Sequence, residues 1–444
     1  MTSGTSPQGL KYAVRRSGRA VAYCALSIGC GTRDEKGYPA GIAHFVEHNL
    51  FRGTRRKSAA VINGYLDKLG GELNAYTTKE EIVLHATVLK EDWKKAVGLL
   101  FELATEATFP ESEIETERGV VLDEIISYKD NPAEDVYDRF ETLLFEGSPL
   151  STPILGTAAS VKKITPHMLR KFVAEKFVPS RMVLSVVADI DEAVLEKDVL
   201  KMVEGFFVTE EGAPSLAKKR ADAPEGASLP CTKDSPTEET CSADASAIKL
   251  ADGEQASFGG RRFHKVVDKR HHEVNAVIGC RAPSLYEMPE RLVCAMLANI
   301  LGGPASNSLL NKELREKRGW VYGIECSYTQ YADTGILAIT FGCDRPNLED
   351  CQKAIDKILK RLCEVPFTPA QLKAYRKQLL GQLAISADAG EAQCLSMGKS
   401  MLSWGSIMSP EETRAALLAI TPEDLQKMAA RLFAPDNLCS LIYL

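Results

Sequence analysis

At 444 residues and 48.5 kDa the chain is long enough for two or three domains, each with its own core, and two is the expected number. Its 54 basic and 60 acidic residues leave a formal charge of −6 and a pI near 5.8. With no dense Lys/Arg block, this balance excludes the electrostatic footprint of a nucleic-acid or anionic-membrane binder.

Arg15, Arg16 and Arg19 precede the apolar run "AVAYCALSIGCG" and imitate a short signal peptide. A similar run returns in mid-chain, so the segment reads instead as a buried strand near residues 20–30. No apolar run approaches the ~18–20 residues that span a bilayer, and the expectation is a soluble, cytoplasmic protein. Twelve cysteines fit that compartment: they form no C-x-x-C pair and lie mostly in apolar settings such as "RLVCAMLANI", where a thiol acts as a small hydrophobe.

Helices are expected over 38–52 and 58–69, then strands at 72–78 and 81–88. Apolar residues at three- and four-residue spacing predict further helices over 91–107 and 111–129, and "RMVLSVVADI" reads as another strand. Strands mixed with helices, without strict β-α-β alternation, predict an α+β fold in which helices cover a mostly antiparallel sheet. From Glu210 to Gly260 large apolar side chains almost vanish, so this stretch cannot offset its ordering entropy and reads as a linker. Its Cys231 and Cys241 read as incidental. The organisation expected is therefore an N-terminal domain over 1–209, a linker over 210–260 and a C-terminal domain over 261–444.

The two flanking halves resemble each other. "LSIGCGTRDEKGYPAGIAHFVEHNLFRG" lies over "AVIGCRAPSLYEMPERLVCAMLANILGG" at an offset of 250 residues, which pairs Ile28-Gly29-Cys30 with Ile278-Gly279-Cys280 and Asn49 with Asn299. Further on, "LLFELATEATFPESEIETERGVVLDEI" lies over "ILKRLCEVPFTPAQLKAYRKQLLGQL", the offset having drifted to 258. Such self-similarity indicates a duplicated domain.

The chain spends two of its seven histidines in "HFVEH". On a helix, His44 and His48 sit one turn apart on one face with Glu47 adjacent, so two imidazoles can meet one metal ion while the carboxylate addresses a water. This H-x-x-E-H order is the inverse of the commoner zinc helix, and chance supplies it in such a chain on the order of one per cent of the time. The competing reading is a solvated helix face with two unconnected histidines. The duplication weighs against it: Cys294, Leu297 and Ala298 stand opposite His44, Glu47 and His48, so the same helix can pack without these polar groups. A catalytic zinc also wants a third protein ligand. Glu117 and Glu124, seven residues apart on a downstream helix, are the acidic candidates, and both are absent from the second half, where Tyr375 and Gln382 stand opposite them.

Together "HFVEH", "ERGVVLDEI" with Glu124 placed 76 residues after His48, "GGELNAYTTKE" and "LREKRGWVYGI" closely resemble the pitrilysin/insulinase family of zinc peptidases, and most of all its short two-domain branch of processing-type peptidases. The resemblance covers nearly the whole chain outside the linker. It implies His44, His48 and Glu124 as ligands of one Zn2+ per chain, Glu47 as general base, and Glu117 as the carboxylate that orients a ligand histidine. It further implies that Arg315 and Tyr322 contact the reacting carbonyl, and that the strand holding Asn74, Ala75 and Tyr76 binds substrate backbone as an added strand. Without the resemblance, Arg315 reads equally as a surface helix charge and Tyr322 as a core aromatic. Asn49 departs from the family's apolar residue, and its partner Asn299 points to packing; the linker is longer than usual.

A two-domain chain supplies one half of the family's clamshell chamber. The resemblance therefore implies a homodimer in which Arg315 and Tyr322 of one subunit complete the other's site, acting on short or extended peptides. Two other readings remain: a non-catalytic scaffold that keeps the fold, and a metal-binding subunit that needs a different partner chain.

Overall fold

In a computed structural model the chain is described over residues 1–207, 262–270 and 272–444. The linker expected at 210–260, with Cys231 and Cys241, lies outside the described residues. The first half runs β1 (Thr2–Thr5), β2 (Lys11–Arg16), β3 (Val21–Ile28), α1 (Ile42–Leu50), α2 (Ala59–Asn63), β4 (Glu72–Thr77), β5 (Ile82–Leu89) and α3 (Trp93–Glu106). It continues through α4 (Glu111–Asp130), α5 (Pro132–Leu144), α6 (Ala158–Val161), α7 (Pro166–Lys176), β6 (Met182–Ala188) and α8 (Glu192–Phe207). The second half runs β7 (His264–Val267), β8 (Glu273–Ala282), α9 (Glu290–Gly302), a π-helical turn (Asn311–Glu316), β9 (Val321–Gln330), β10 (Gly335–Asp344) and α10 (Leu348–Glu364). It ends with α11 (Pro369–Asp388), α12 (Gly390–Trp404), α13 (Pro410–Ala419), α14 (Pro422–Leu432) and β11 (Cys439–Tyr443).

Local chemistry accounts for several of these boundaries. Thr368, Ser409 and Thr421 open α11, α13 and α14 with capping boxes, each followed by a proline in the first turn. Two expected helices are shorter than their periodicity suggests. The one expected from residue 38 begins at Ile42, because Gly41 takes a left-handed φ of 87° and lies so close to the Leu155 carbonyl that a Cβ would stand 2.7 Å from it. The one expected over 58–69 stops at Gly64 and continues only as a 3₁₀ turn over Asp67–Leu69.

Each half builds one sheet. The first has the order β1-β2-β6-β3-β5-β4, the second β7-β11-β8-β10-β9. Pairing is antiparallel except for β2 with β6 and β7 with β11, the same place in both sheets. The strands repeat as the sequence does: β3 answers β8, the hairpin β4–β5 answers β9–β10, and β6 answers β11. Both sheets leave the first strand of their hairpin, β4 or β9, at an edge. Along β6 every residue is buried, as a continuous apolar run predicts.

The halves exchange one helix each. Val136, Phe140 and Leu144 of α5 pack against Val277, Ala338 and Leu441 of the second sheet. Cys394, Met397 and Met401 of α12 pack reciprocally against Ala25, Val183 and Val187 of the first. Each sheet is thus covered on one face by its own helices and on the other by a helix from the opposite half. No helix among the described residues is long and apolar enough to cross a membrane.

Candidate metal centre

The centre begins with α1, a nine-residue helix buried on nearly every side. Its neighbours explain the burial: β4 and β5 lie beneath it, and α4 crosses it. In so dry a place polar side chains must find partners or a ligand. His44 and Glu47 are 6 and 9 % exposed. Asn49 is fully buried and donates back to the Phe45 carbonyl at 2.7 Å, the packing role that its repeat partner suggested.

His44, His48 and Glu124 converge, each offering one ligand atom within 4.8 Å of the others. The carboxylate oxygen Oε2 of Glu124 stands 3.7 Å from His44 Nε2 and 3.4 Å from His48 Nε2. That oxygen is buried yet makes no hydrogen bond of good geometry. Zinc bonds to nitrogen or oxygen of about 2.1 Å in a tetrahedron put neighbouring ligand atoms roughly 3.4 Å apart. The donor set and its spacing therefore fit a zinc ion.

Glu117, 1 % exposed, accepts from His48 Nδ1 at 2.9 Å and is ion-paired with Arg52. This bond leaves His48 Nε2 free to face Glu124, which fixes the tautomer that a metal needs. Both glutamates of α4 thus reach α1, and the geometry separates them: Glu124 touches both histidine nitrogens, whereas Glu117 touches only the far side of one ring.

Electrostatics suit the same task. Burial, reinforced by the neighbouring His48, pushes the His44 pKa down to about 4 against the pull of Glu124, so the ring is neutral at pH 7. The neighbouring His48, and after it His44, holds Glu124 below the usual carboxylate range although burial opposes it. Burial pushes Glu47 upward, countered by His48 and by the Thr77 hydroxyl, which donates to Glu47 Oε2 at 3.0 Å. A carboxyl raised in this way is a better proton acceptor than an ordinary carboxylate.

Thr77, Arg52 and Glu35 escape the sequence reading. Thr77 closes the same "NAYT" stretch as Asn74, and strand alternation was the available signal: residues 75 and 77 share the face toward α1, while 74 and 76 take the other. Arg52 lies four residues beyond His48, just past the helix. Glu35 carries no such signal. It is 6 % exposed and its carboxylate accepts from Gly41 N and Ala43 N at 2.9 and 3.0 Å, capping α1 from outside the helix. Burial pushes its pKa up to about 7 against these bonds and the charge of Lys79.

Asn74, Ala75 and Tyr76 lie on edge strand β4, with Asn74 opposite His85 in the register. Arg315 sits exposed on the π-helical turn, and Tyr322 on β9 is 55 % exposed, its hydroxyl donating to Asp344 at 2.7 Å. The core-aromatic reading of Tyr322 is thereby corrected. Both line a cavity of about 960 Å³ together with Tyr128, Glu134, Glu273 and Glu325, and none of the metal cluster lines it. In the second half, Cys294, Leu297 and Ala298 of α9 are buried in an apolar core, and Asn299 donates to Gln382 at 2.8 Å, joining the same two helices that the metal cluster joins in the first.

The family model described as insulinase (peptidase family M16) matches residues 11–158, and that described as the peptidase M16 inactive domain matches residues 163–379. The second match takes in residues 261–379 of the half without ligands. The chain is 29 % identical over 424 residues to a Bacillus subtilis protein named uncharacterized zinc protease YmxG, covering 96 % of this chain and 93 % of that one. It is 27 % identical over 399 residues to an uncharacterized zinc protease of Streptomyces coelicolor, covering 90 and 80 %. The fold is that of a Helicobacter pylori protease structure, with a TM-score of 0.82 at 19 % identity and coverage of 100 and 98 %. It is likewise that of a Pseudomonas fluorescens structure described as a peptidase M16 inactive domain, with a TM-score of 0.80 at 18 % identity and coverage of 100 and 97 %. Two successive matches that together run from residue 11 to residue 379, on a duplicated fold, place the chain in the insulinase (M16) family of peptidases, in its short two-domain branch.

Proposed function

We propose that the chain is a zinc-dependent endopeptidase of short or extended peptides, working in the cytoplasm as a homodimer. The observation that carries this reading is the convergence of His44, His48 and Glu124 beside Glu47 on buried helix α1. His44, His48 and Glu124 would hold one zinc per chain. When bound, the ion supplies Lewis-acid activation of water and polarisation of a peptide carbonyl. Glu47 takes a proton at its carboxylate and returns it to the leaving amine, while the Thr77 hydroxyl steadies one of its oxygens. Glu117 keeps His48 in the ligating tautomer.

Peptide backbone adds to the edge of β4 at Asn74, Ala75 and Tyr76. Arg315 and Tyr322 steady the carbonyl oxygen from a partner subunit. Their lining a cavity apart from the metal cluster of their own chain supports that arrangement. Residues 1–209 form the metal-binding domain and 261–444 its ligand-free counterpart, joined by 210–260.

The test is hydrolysis of a quenched fluorogenic peptide library by the purified chain, with metal content measured on the same sample and Glu47→Gln in parallel. About one zinc per chain, cleavage by the natural sequence, and a silent Glu47→Gln that keeps its metal is the expected result. Metal without cleavage in both proteins would turn the reading toward a non-catalytic or partner-dependent subunit.

A further inference from the structure

The mechanism leaves several buried charges unused, and Lys79 is one of them. Lys79, in the turn between β4 and β5, is 4 % exposed, yet its ammonium is fully coordinated: Glu141 Oε2 on α5 at 3.1 Å and the carbonyls of Leu150 and Thr152 at 3.1 and 2.5 Å. Glu141 in turn accepts from the hydroxyl of Tyr331, in the β9–β10 turn of the second half. The next residue, Glu80, reaches the same turn directly. Both its oxygens accept from Ala332 N, at 3.0 and 3.2 Å, and Arg33 bridges Glu80 to Asp333.

The β4–β5 and β9–β10 turns are thus tied together by two adjacent residues with different partners. Such a tie is a poor source of net stability, since desolvating buried charges offsets most of their attraction; what it supplies is one register. Register matters here because β4 is an edge strand held by β5 alone within its sheet. The last residue of β4 is Thr77, whose hydroxyl holds Glu47. Only Thr78 therefore separates the tie from the hydroxyl that orients the base.

We propose that Lys79 and Glu80 are positioning residues, which dock the β4–β5 turn onto the second half and so hold Thr77, and through it Glu47, in place. The proposal rests on the peptidase reading for its kinetic consequence and on geometry alone for the docking. Removing Lys79 would strand Glu141 in the interior, so Glu80→Ala, whose side chain is 27 % exposed, carries the test, with Asp333→Ala, 59 % exposed, opening the same contact from the other side.

Two measurements on the zinc-loaded full chain decide it. In amide hydrogen exchange, Glu80→Ala should speed exchange through residues 75–81 about tenfold or more and leave α1 unchanged; unchanged exchange across the turn refutes the docking. In peptide hydrolysis, Glu80→Ala should lower kcat roughly tenfold with KM changed less than about twofold and zinc retained, since a small misplacement of a catalytic group is costly. Thr77→Val should do the same, and the double variant should lose no more than about the larger single loss. Additive losses, or a lowered Tm with unchanged kcat, refute the positioning role. A natural chain that cleaves nothing defeats the peptidase reading and the positioning role with it, while the exchange result still decides the docking.

Discussion

Under the proposed function, Glu117 would do more for a bound metal than its place outside the three converging side chains suggests. It is among the most buried charges of the first half, and its two oxygens are divided between His48 Nδ1 and Arg52. Losing one such partner of a ligand histidine weakens metal binding by about 10- to 100-fold. Glu117→Gln can still accept a hydrogen bond from His48 but no longer pairs with Arg52 or raises the basicity of the ring. Its zinc affinity, measured by competition with a chelator, should fall within that range while the protein stays folded. An affinity equal to that of the natural chain would mean that His48 is oriented by the packing of α1 alone.

At the scale of elements, the exchanged helices α5 and α12 make each half depend on the other for one face of its sheet. Phe140 of α5 is fully buried, and its ring packs with Phe263 at a centroid distance of 5.3 Å. Truncating a buried phenylalanine removes its transfer free energy and leaves a cavity, so Phe140→Ala should cost about 3–5 kcal/mol. Because α5 follows α4 directly, and α4 carries Glu117 and Glu124, the loss should be felt in the metal-binding half as well. Urea unfolding followed by far-UV circular dichroism and by zinc release should show one shifted transition in both signals. Two separated transitions, with zinc retained through the first, would mean that the halves are stabilised independently despite the exchange.

For the whole molecule the decisive matter is which chains form one site. Arg315 and Tyr322 share a cavity with α4 and α5 residues of their own chain, but the metal cluster does not line it. If the pair serves a partner's metal, a Glu47→Gln protein and an Arg315→Ala/Tyr322→Phe protein are each inactive, yet their mixture forms hybrid dimers with one intact composite site. After subunit exchange, activity should recover toward about a quarter of the natural level, the statistical share of intact sites when the loss of either element is complete. A mixture that stays silent once exchange has been demonstrated would place the pair and the metal in the same chain.

Much of this was legible in the sequence, for identifiable physical reasons. The candidate cluster could be read because a helix puts positions 44, 47 and 48 together by its own periodicity, and because duplication supplied a control helix in which Cys294, Leu297 and Ala298 take their place. Strands β3, β4, β5 and β6 and helices α3 and α4 were likewise readable, since their apolar patterns match the period of the structure they form. Helix ends were less so where a tertiary contact set them, as at Gly41, which is confined by the Leu155 carbonyl of a distant loop. The separation of Glu124 as the group facing both histidines from Glu117 as the group behind one was beyond periodicity, because seven residues put both on one helical face and only the crossing of α4 over α1 distinguishes them. Glu35 and the Lys79–Glu141 pair lay further out of reach. A side chain's sequence neighbours determine its local conformation, but a buried charge is matched by whatever the fold brings near it, here from as far as Tyr331. By itself the sequence determined the chemistry available and the helix that carries it; only the tertiary structure decided which carboxylates meet which histidines, because those contacts join segments that chain order leaves far apart.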